Sequence, residues 1–121
     1  MRPFIFGVSC ILSLACAEAV LAADLKNLTD SVMNGWRKDY QNQMGSVITS
    51  AGCSGAVDFK NLTDAVMNGW RKDYQIQMGS LLSCSGCTEA VDFKNLTDAV
   101  MNGWRKDYQI QIGSLLSCIS G

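Results

Sequence analysis

Apolar residues in the middle of the chain follow one another at helical steps. Phe59, Leu62, Val66, Trp70, Tyr74, Met78 and Leu81 are spaced 3, 4, 4, 4, 4 and 3, which is one face of an α-helix. A strand reading has two points in its favour, the Asn68-Gly69 dipeptide and the alternation of Tyr74-Gln75-Ile76-Gln77-Met78. It fails upstream, where Leu62 and Val66 would share a side with Asp58, Lys60 and Asp64. The pattern predicts an all-α fold. Asp58 is suited to cap the helix, and Val57 with Leu62 has the spacing of a hydrophobic staple, repeated by Val91, Asp92 and Leu96. Lys60 and Asp64 are placed to pair on the solvent face, and Ser54-Gly55 and Ser85-Gly86 supply stop signals.

The same pattern occurs three times. Lys26-Asn27-Leu28-Thr29-Asp30, Lys60-Asn61-Leu62-Thr63-Asp64 and Lys94-Asn95-Leu96-Thr97-Asp98 recur at a spacing of 34. The string from Asp58 to Ser83 returns from Asp92 to Ser117 with one change, Met78 to Ile112. The first copy is more diverged, with Asn42 and Val47-Ile48-Thr49 where the others have Ile and Leu-Leu-Ser. These features predict tandem helical repeats at 23–56, 57–90 and 91–121, each burying its apolar face against its neighbours. The period equals that of tetratricopeptide units, but their signature of Trp, Gly, Tyr, Ala and Pro is not reproduced, and no family is identified.

Each copy could be one helix or two. The unbroken stripe favours one, as do Arg71-Lys72, which are unfavourable at the positive end of a new helix. Asn34-Gly35, Asn68-Gly69 and Asn102-Gly103 in mid-copy favour two. The cysteines add weight to the second reading. Cys53 and Cys84 are 31 apart, as are Cys87 and Cys118, and the midpoint of the first pair falls on the Asn68-Gly69 bond. A single 26-residue helix would separate such a pair by ~39 Å, whereas a disulfide needs Cα atoms within about 4.4 to 6.8 Å. Helical hairpins clamped by Cys53–Cys84 and Cys87–Cys118 are therefore expected. The rival is a bundle of three long helices linked Cys53–Cys118 and Cys84–Cys87. Each cysteine is present only where its partner can be: Ser50 stands in the place of Cys84 in the first copy, and Gly121 in the place of Cys87 in the last.

Residues 1–22 read as a cleaved signal peptide. Arg2 precedes an uncharged apolar run from Phe4 to Ala17, and Val20-Leu21-Ala22 offers cleavage before Ala23, with Ala17-Glu18-Ala19 as a second candidate. Cleavage removes Cys10 and Cys16 and leaves four cysteines, an even number suited to disulfides in a secreted, extracellular protein.

Composition narrows the function. The chain has 121 residues, 48% of them apolar, a net charge of −1 and no His. That balance argues against nucleic acid as a partner and, after leader removal, against a membrane. Lack of imidazole removes the usual triads and many metal-ligand sets, so no enzyme activity, metal or cofactor is expected. Cys84-Ser85-Gly86-Cys87 has redox-motif spacing but follows a helix and divides between two clamps, so a structural role is expected. Asn27, Asn61 and Asn95 each begin an Asn-Leu-Thr sequon and are candidate glycan acceptors. The dibasic pairs Arg37-Lys38, Arg71-Lys72 and Arg105-Lys106 are candidate processing sites of a peptide precursor, or a solvated helix face. Trp36, Trp70 and Trp104, with Tyr40, Tyr74 and Tyr108, are expected to pack between repeats, or, with the methionines, to line an apolar carrier pocket. The leading expectation is a secreted, non-enzymatic, disulfide-stapled protein with a binding or structural role toward an extracellular protein or surface, self-association included.

Overall fold

A computed structural model describes residues 23–121; the expected leader, with Cys10 and Cys16, lies outside the described residues. Within them the chain forms six α-helices and no strand: α1 Leu25–Asn34, α2 Arg37–Ser50, α3 Phe59–Asn68, α4 Arg71–Ser85, α5 Phe93–Asn102 and α6 Arg105–Ser120, with a short 3-10 turn at Thr88–Ala90 before α5. The helices pair as three antiparallel hairpins, α1–α2, α3–α4 and α5–α6.

Each hairpin starts where a side chain can satisfy the exposed amides of a first turn. The carboxylates of Asp24, Asp58 and Asp92 accept from the backbone N–H of Asn27, Asn61 and Asn95, all at 3.1 Å. The backbone N–H of each capping aspartate donates in turn to Gln43, Gln77 or Gln111 on the second helix, at 2.8 Å. The two legs are thereby fastened at the hairpin base.

The first helix ends at the Asn-Gly dipeptide. Gly69 adopts φ 72°, ψ 35°, a left-handed conformation that residues with a Cβ disfavour. Its N–H and that of Trp70 both donate to Ala65 O, the latter at 2.9 Å, and Asn68 Nδ2 donates to Asp64 O. Gly35 and Gly103 close the other two turns in the same way.

A continuous stripe through Trp70 is therefore overturned. The tryptophans are the N-cap residues of α2, α4 and α6, with φ −85°, and each remains 46% exposed. They do not join the core, because the turn rotates the second helix about its own start. Arg71-Lys72 also stand at the new helix's N-terminus, where the dipole disfavours them; Asp73 in the same turn and an ion pair made by Arg71 offset that cost.

The hairpins close on themselves. Arg37 pairs with Asp64 at 2.7 Å and Arg71 with Asp98 at 2.8 Å, linking each hairpin to the next; Arg105 then reaches back to Asp30 at 2.6 Å. A second contact has the same logic. A Cβ placed on Gly45 would meet the Phe59 ring at 3.5 Å, one on Gly79 the Phe93 ring at 3.7 Å, and one on Gly113 the side chain of Leu25 at 3.9 Å. Helix α6 thus packs on α1, as α2 packs on α3 and α4 on α5. The result is a closed ring with an approximate three-fold axis. Its interior holds Leu28, Leu62 and Leu96, the layer of Met44, Met78 and Ile112, and all three tyrosines.

Disulfides join Cys53 to Cys84 and Cys87 to Cys118, each with a Cα separation of 6.0 Å, so the long-helix alternative with a Cys53–Cys118 link does not hold. Cys53 and Cys87 are held against the ends of α2 and α4, since their N–H groups donate to Ile48 O and Leu82 O at 3.0 Å. Each bond closes the base of one hairpin and also ties the C-terminal ends of two successive second helices. The first hairpin has no such bond.

Candidate functional site

The ring has two unlike ends. Arg37 begins α2, and its partner Asp64 lies five residues before Gly69, so the Gly35 and Gly69 turns share one end; Arg71 with Asp98 and Arg105 with Asp30 bring the Gly103 turn to that end too. The disulfides occupy the other. The turn end therefore displays three copies of Asn-Gly-Trp-Arg-Lys, each with a half-exposed indole and an exposed lysine.

Charge at this end is arranged in linked triplets. Asp64 accepts from Arg37 of the preceding hairpin and from Lys60 of its own helix, at 2.7 and 3.1 Å; Asp98 and Asp30 do likewise. The arginine hydrogen bond first, and the lysine second, hold each of these carboxyls below the usual carboxylate range. Thus the arginine of every dibasic pair is engaged in holding two hairpins together. Lys38, Lys72 and Lys106 beside it are exposed.

The other sequence candidates lie elsewhere. Asn27, Asn61 and Asn95 sit half-buried in the first turn of α1, α3 and α5, toward the disulfide end, and Asn95 accepts from Gln111 at 3.1 Å. The hydroxyl-bearing partner of each sequon, Thr29, Thr63 or Thr97, is fully buried. Cys84-Ser85-Gly86-Cys87 is a helix ending, with Gly86 at φ 76°, and its two sulfurs belong to different disulfides. An open groove of about 650 Å³ runs along α2 beside the following linker, lined by Asn42, Gly45, Ile48, Thr49, Val57 and Phe59. Among the described residues no helix is long and apolar enough to cross a membrane.

The tyrosines behave differently from the tryptophans four residues before them. Tyr40, Tyr74 and Tyr108 are 1% exposed, and among the described residues none of their hydroxyls has a hydrogen-bond partner. Burial pushes each phenol well above its ordinary range, and Tyr74 and Tyr108 are raised further by their neighbouring tyrosines. Of the six residues expected between repeats, the structure gathers the three tyrosines inside the ring and leaves the three tryptophans at its end. Sequence reasoning missed Asp30, Asp64 and Asp98 as inter-hairpin bridges. It also read Thr29, Thr63 and Thr97 only as parts of sequons.

No protein-family model matches the chain, and none of the curated proteins or solved structures is significantly similar to it.

Proposed function

We propose that the protein is a secreted, non-enzymatic tandem-repeat binding module whose working surface is the turn end of the ring. The observation that supports this most is the threefold display of Trp36, Trp70 and Trp104, each 46% exposed and followed two residues on by an exposed lysine. Large aromatic side chains held half out of solvent are costly to leave uncovered, and they dominate binding energy when a partner covers them. Three equal anchors on one rigid face also suit a multivalent extracellular surface, since simultaneous engagement multiplies weak single contacts. The disulfides fit a small protein that must persist outside the cell.

The test is stepwise. Labelled protein applied to intact cells and extracellular matrix should bind saturably, with successive loss as Trp36, Trp70 and Trp104 are changed to Ser, while the helical circular dichroism stays unchanged. Undiminished binding by the triple variant would overturn the assignment of this face.

A second reading, a precursor of repeated peptides, has the surface position of Arg37-Lys38, Arg71-Lys72 and Arg105-Lys106 in its favour. Against it, each arginine is tied to an aspartate of the next hairpin. Because the disulfides would hold cut pieces together, mass analysis of the natural product after reduction separates the two: a single chain spanning all three hairpins supports the module, and fragments ending at Arg-Lys support the precursor. Added mass on the intact chain would report glycans at Asn27, Asn61 or Asn95.

A further inference from the structure

The net charge of −1, which argues against a membrane as partner, is a sum over two ends of opposite sign. Every lysine and arginine among the described residues stands at the turn end or reaches into it. Six of them form the triplets around Asp30, Asp64 and Asp98. The other three, Lys38, Lys72 and Lys106, lie in the first turns of α2, α4 and α6, together with Asp39, Asp73 and Asp107. Nine cations against six aspartates leave this end a surplus of three positive charges. The disulfide end carries the capping residues Asp24, Asp58 and Asp92 with Glu89, and no cation among the described residues.

The three lysines are placed against local preference. A helix dipole disfavours a cation in the first turn, yet Lys38, Lys72 and Lys106 each hold the second position of a helix. They are exposed, and none forms an ion pair among the described residues. Two residues before each stands a tryptophan that is 46% exposed. A half-exposed indole and an unpaired ammonium are thus presented together three times on one end.

That combination selects among partners. Protein interfaces favour Trp and Arg but are depleted in Lys, and here the arginines are taken up by the bridges between hairpins. Trp with Lys suits the boundary of a bilayer, where the indole lies at headgroup level and ammonium groups are drawn to anionic lipid. Symmetry favours the same partner. Three sites related by a three-fold axis define a plane normal to it, and a bilayer meets all three at once, whereas a linear polyanion runs past two. The acidic disulfide end is repelled by the same surface, so the segregated charge also orients the ring.

We propose that the turn end docks on a phospholipid bilayer bearing anionic headgroups, with Trp36, Trp70 and Trp104 seated at headgroup level and Lys38, Lys72 and Lys106 facing the lipid charge. The proposal rests on the turn end being the working surface and names the partner of that surface.

The chain has three tryptophans, all on this end, so intrinsic fluorescence of the disulfide-bonded protein reads the contact directly. Vesicles of phosphatidylcholine and phosphatidylserine, mixed two to one, should shift the emission to the blue, and lipids brominated on their acyl chains should quench it. Partitioning into them should exceed that into pure phosphatidylcholine by about a hundredfold, the roughly five-fold effect of one cation near an anionic surface taken three times. Lys38→Gln, Lys72→Gln and Lys106→Gln together should remove most of that preference while the helical circular dichroism stays unchanged. Equal partitioning into both vesicle types, or none into either, overturns the proposal. So does a blue shift with soluble heparin and none with vesicles, which would make the partner a sulfated polysaccharide. Failure of the lipid and failure of the face give different results. Tryptophan-dependent binding to cells without vesicle binding removes the lipid alone. Cosedimentation with vesicles that survives Trp36→Ser, Trp70→Ser and Trp104→Ser together removes the turn end itself.

Discussion

The first hairpin and the other two reach one shape by different fastenings. Hairpins α3–α4 and α5–α6 are each closed at the base by a disulfide. Hairpin α1–α2 has none, and its outer leg is secured by the return of α6 onto α1 through Arg105–Asp30 and the Gly113–Leu25 contact. The first hairpin is also the diverged one. It has Leu25 where the others have Phe59 and Phe93, and Ser31, whose hydroxyl donates to Leu28 O at 2.7 Å, where they have Ala65 and Ala99. A closed ring thus makes a covalent clamp dispensable in one unit of three, because that unit is gripped on both sides.

The largest effect should come from alkali, and it asks whether the fastening is the only difference. The buried phenols are raised above their ordinary value of 10.0, so above that pH the unfolded chain loses protons that the folded ring retains. Stability then falls as pH rises, by about 4 kcal/mol per pH unit if all three tyrosines respond together. Phenol ionisation and loss of helix should coincide in one transition. Separate ionisation of Tyr40 with the helices intact would show that the first hairpin is looser in its core as well.

The next prediction adds the missing clamp. In a closed ring the place of a third disulfide falls between Ser50 and Gly121, the equivalents of Cys84 and Cys53. A small pocket at the disulfide end, lined by Ser50, Ala51, Ser85, Cys118 and Ile119, shows that the ends of α2 and α6 meet there. Ser50→Cys with Gly121→Cys should cross-link under oxidising refolding and stabilise the chain by up to about 4 kcal/mol. A pair that stays reduced in the folded monomer would contradict the closure.

Leu25→Phe makes the first hairpin resemble the others at the closing seam and should add about 0.5 to 1 kcal/mol of stability through extra apolar burial. Equilibrium denaturation would read it. Smallest is the effect of acid. The depressed carboxyls of Asp30, Asp64 and Asp98 contribute stability that is present above the ordinary value of 3.8 and lost as pH falls through their lower folded values. Asp30→Asn should shift the acid midpoint upward more than Asp98→Asn does, because only the Asp30 seam lacks a disulfide.

Helix type, hairpin turn and cysteine pairing were all legible in the chain, and for physical reasons. Cysteines 31 apart around Asn68-Gly69 leave a reverse turn as the simplest geometry. The tryptophans were not legible. One left-handed residue at Gly69 separates two helices whose apolar faces continue the same spacing, so Trp70 falls in phase with Leu62 and Tyr74 while lying on neither face. Closure was hidden as well. A repeat read along the chain has two ends, and it takes contacts such as that of Arg105 with Asp30, 75 residues apart, to show that the last copy meets the first.

That contact bears on how the ring assembles. Its three seams use the same ion pair and the same helix-on-helix approach, although two are bridged by chain and one is not. The linkers consequently supply proximity rather than recognition. They raise the effective concentration of one hairpin at the face of the next to the millimolar range expected of short tethers. A peptide comprising one hairpin alone carries both halves of the seam, and at sufficient concentration it has the contacts needed to build the same ring as a trimer of separate chains.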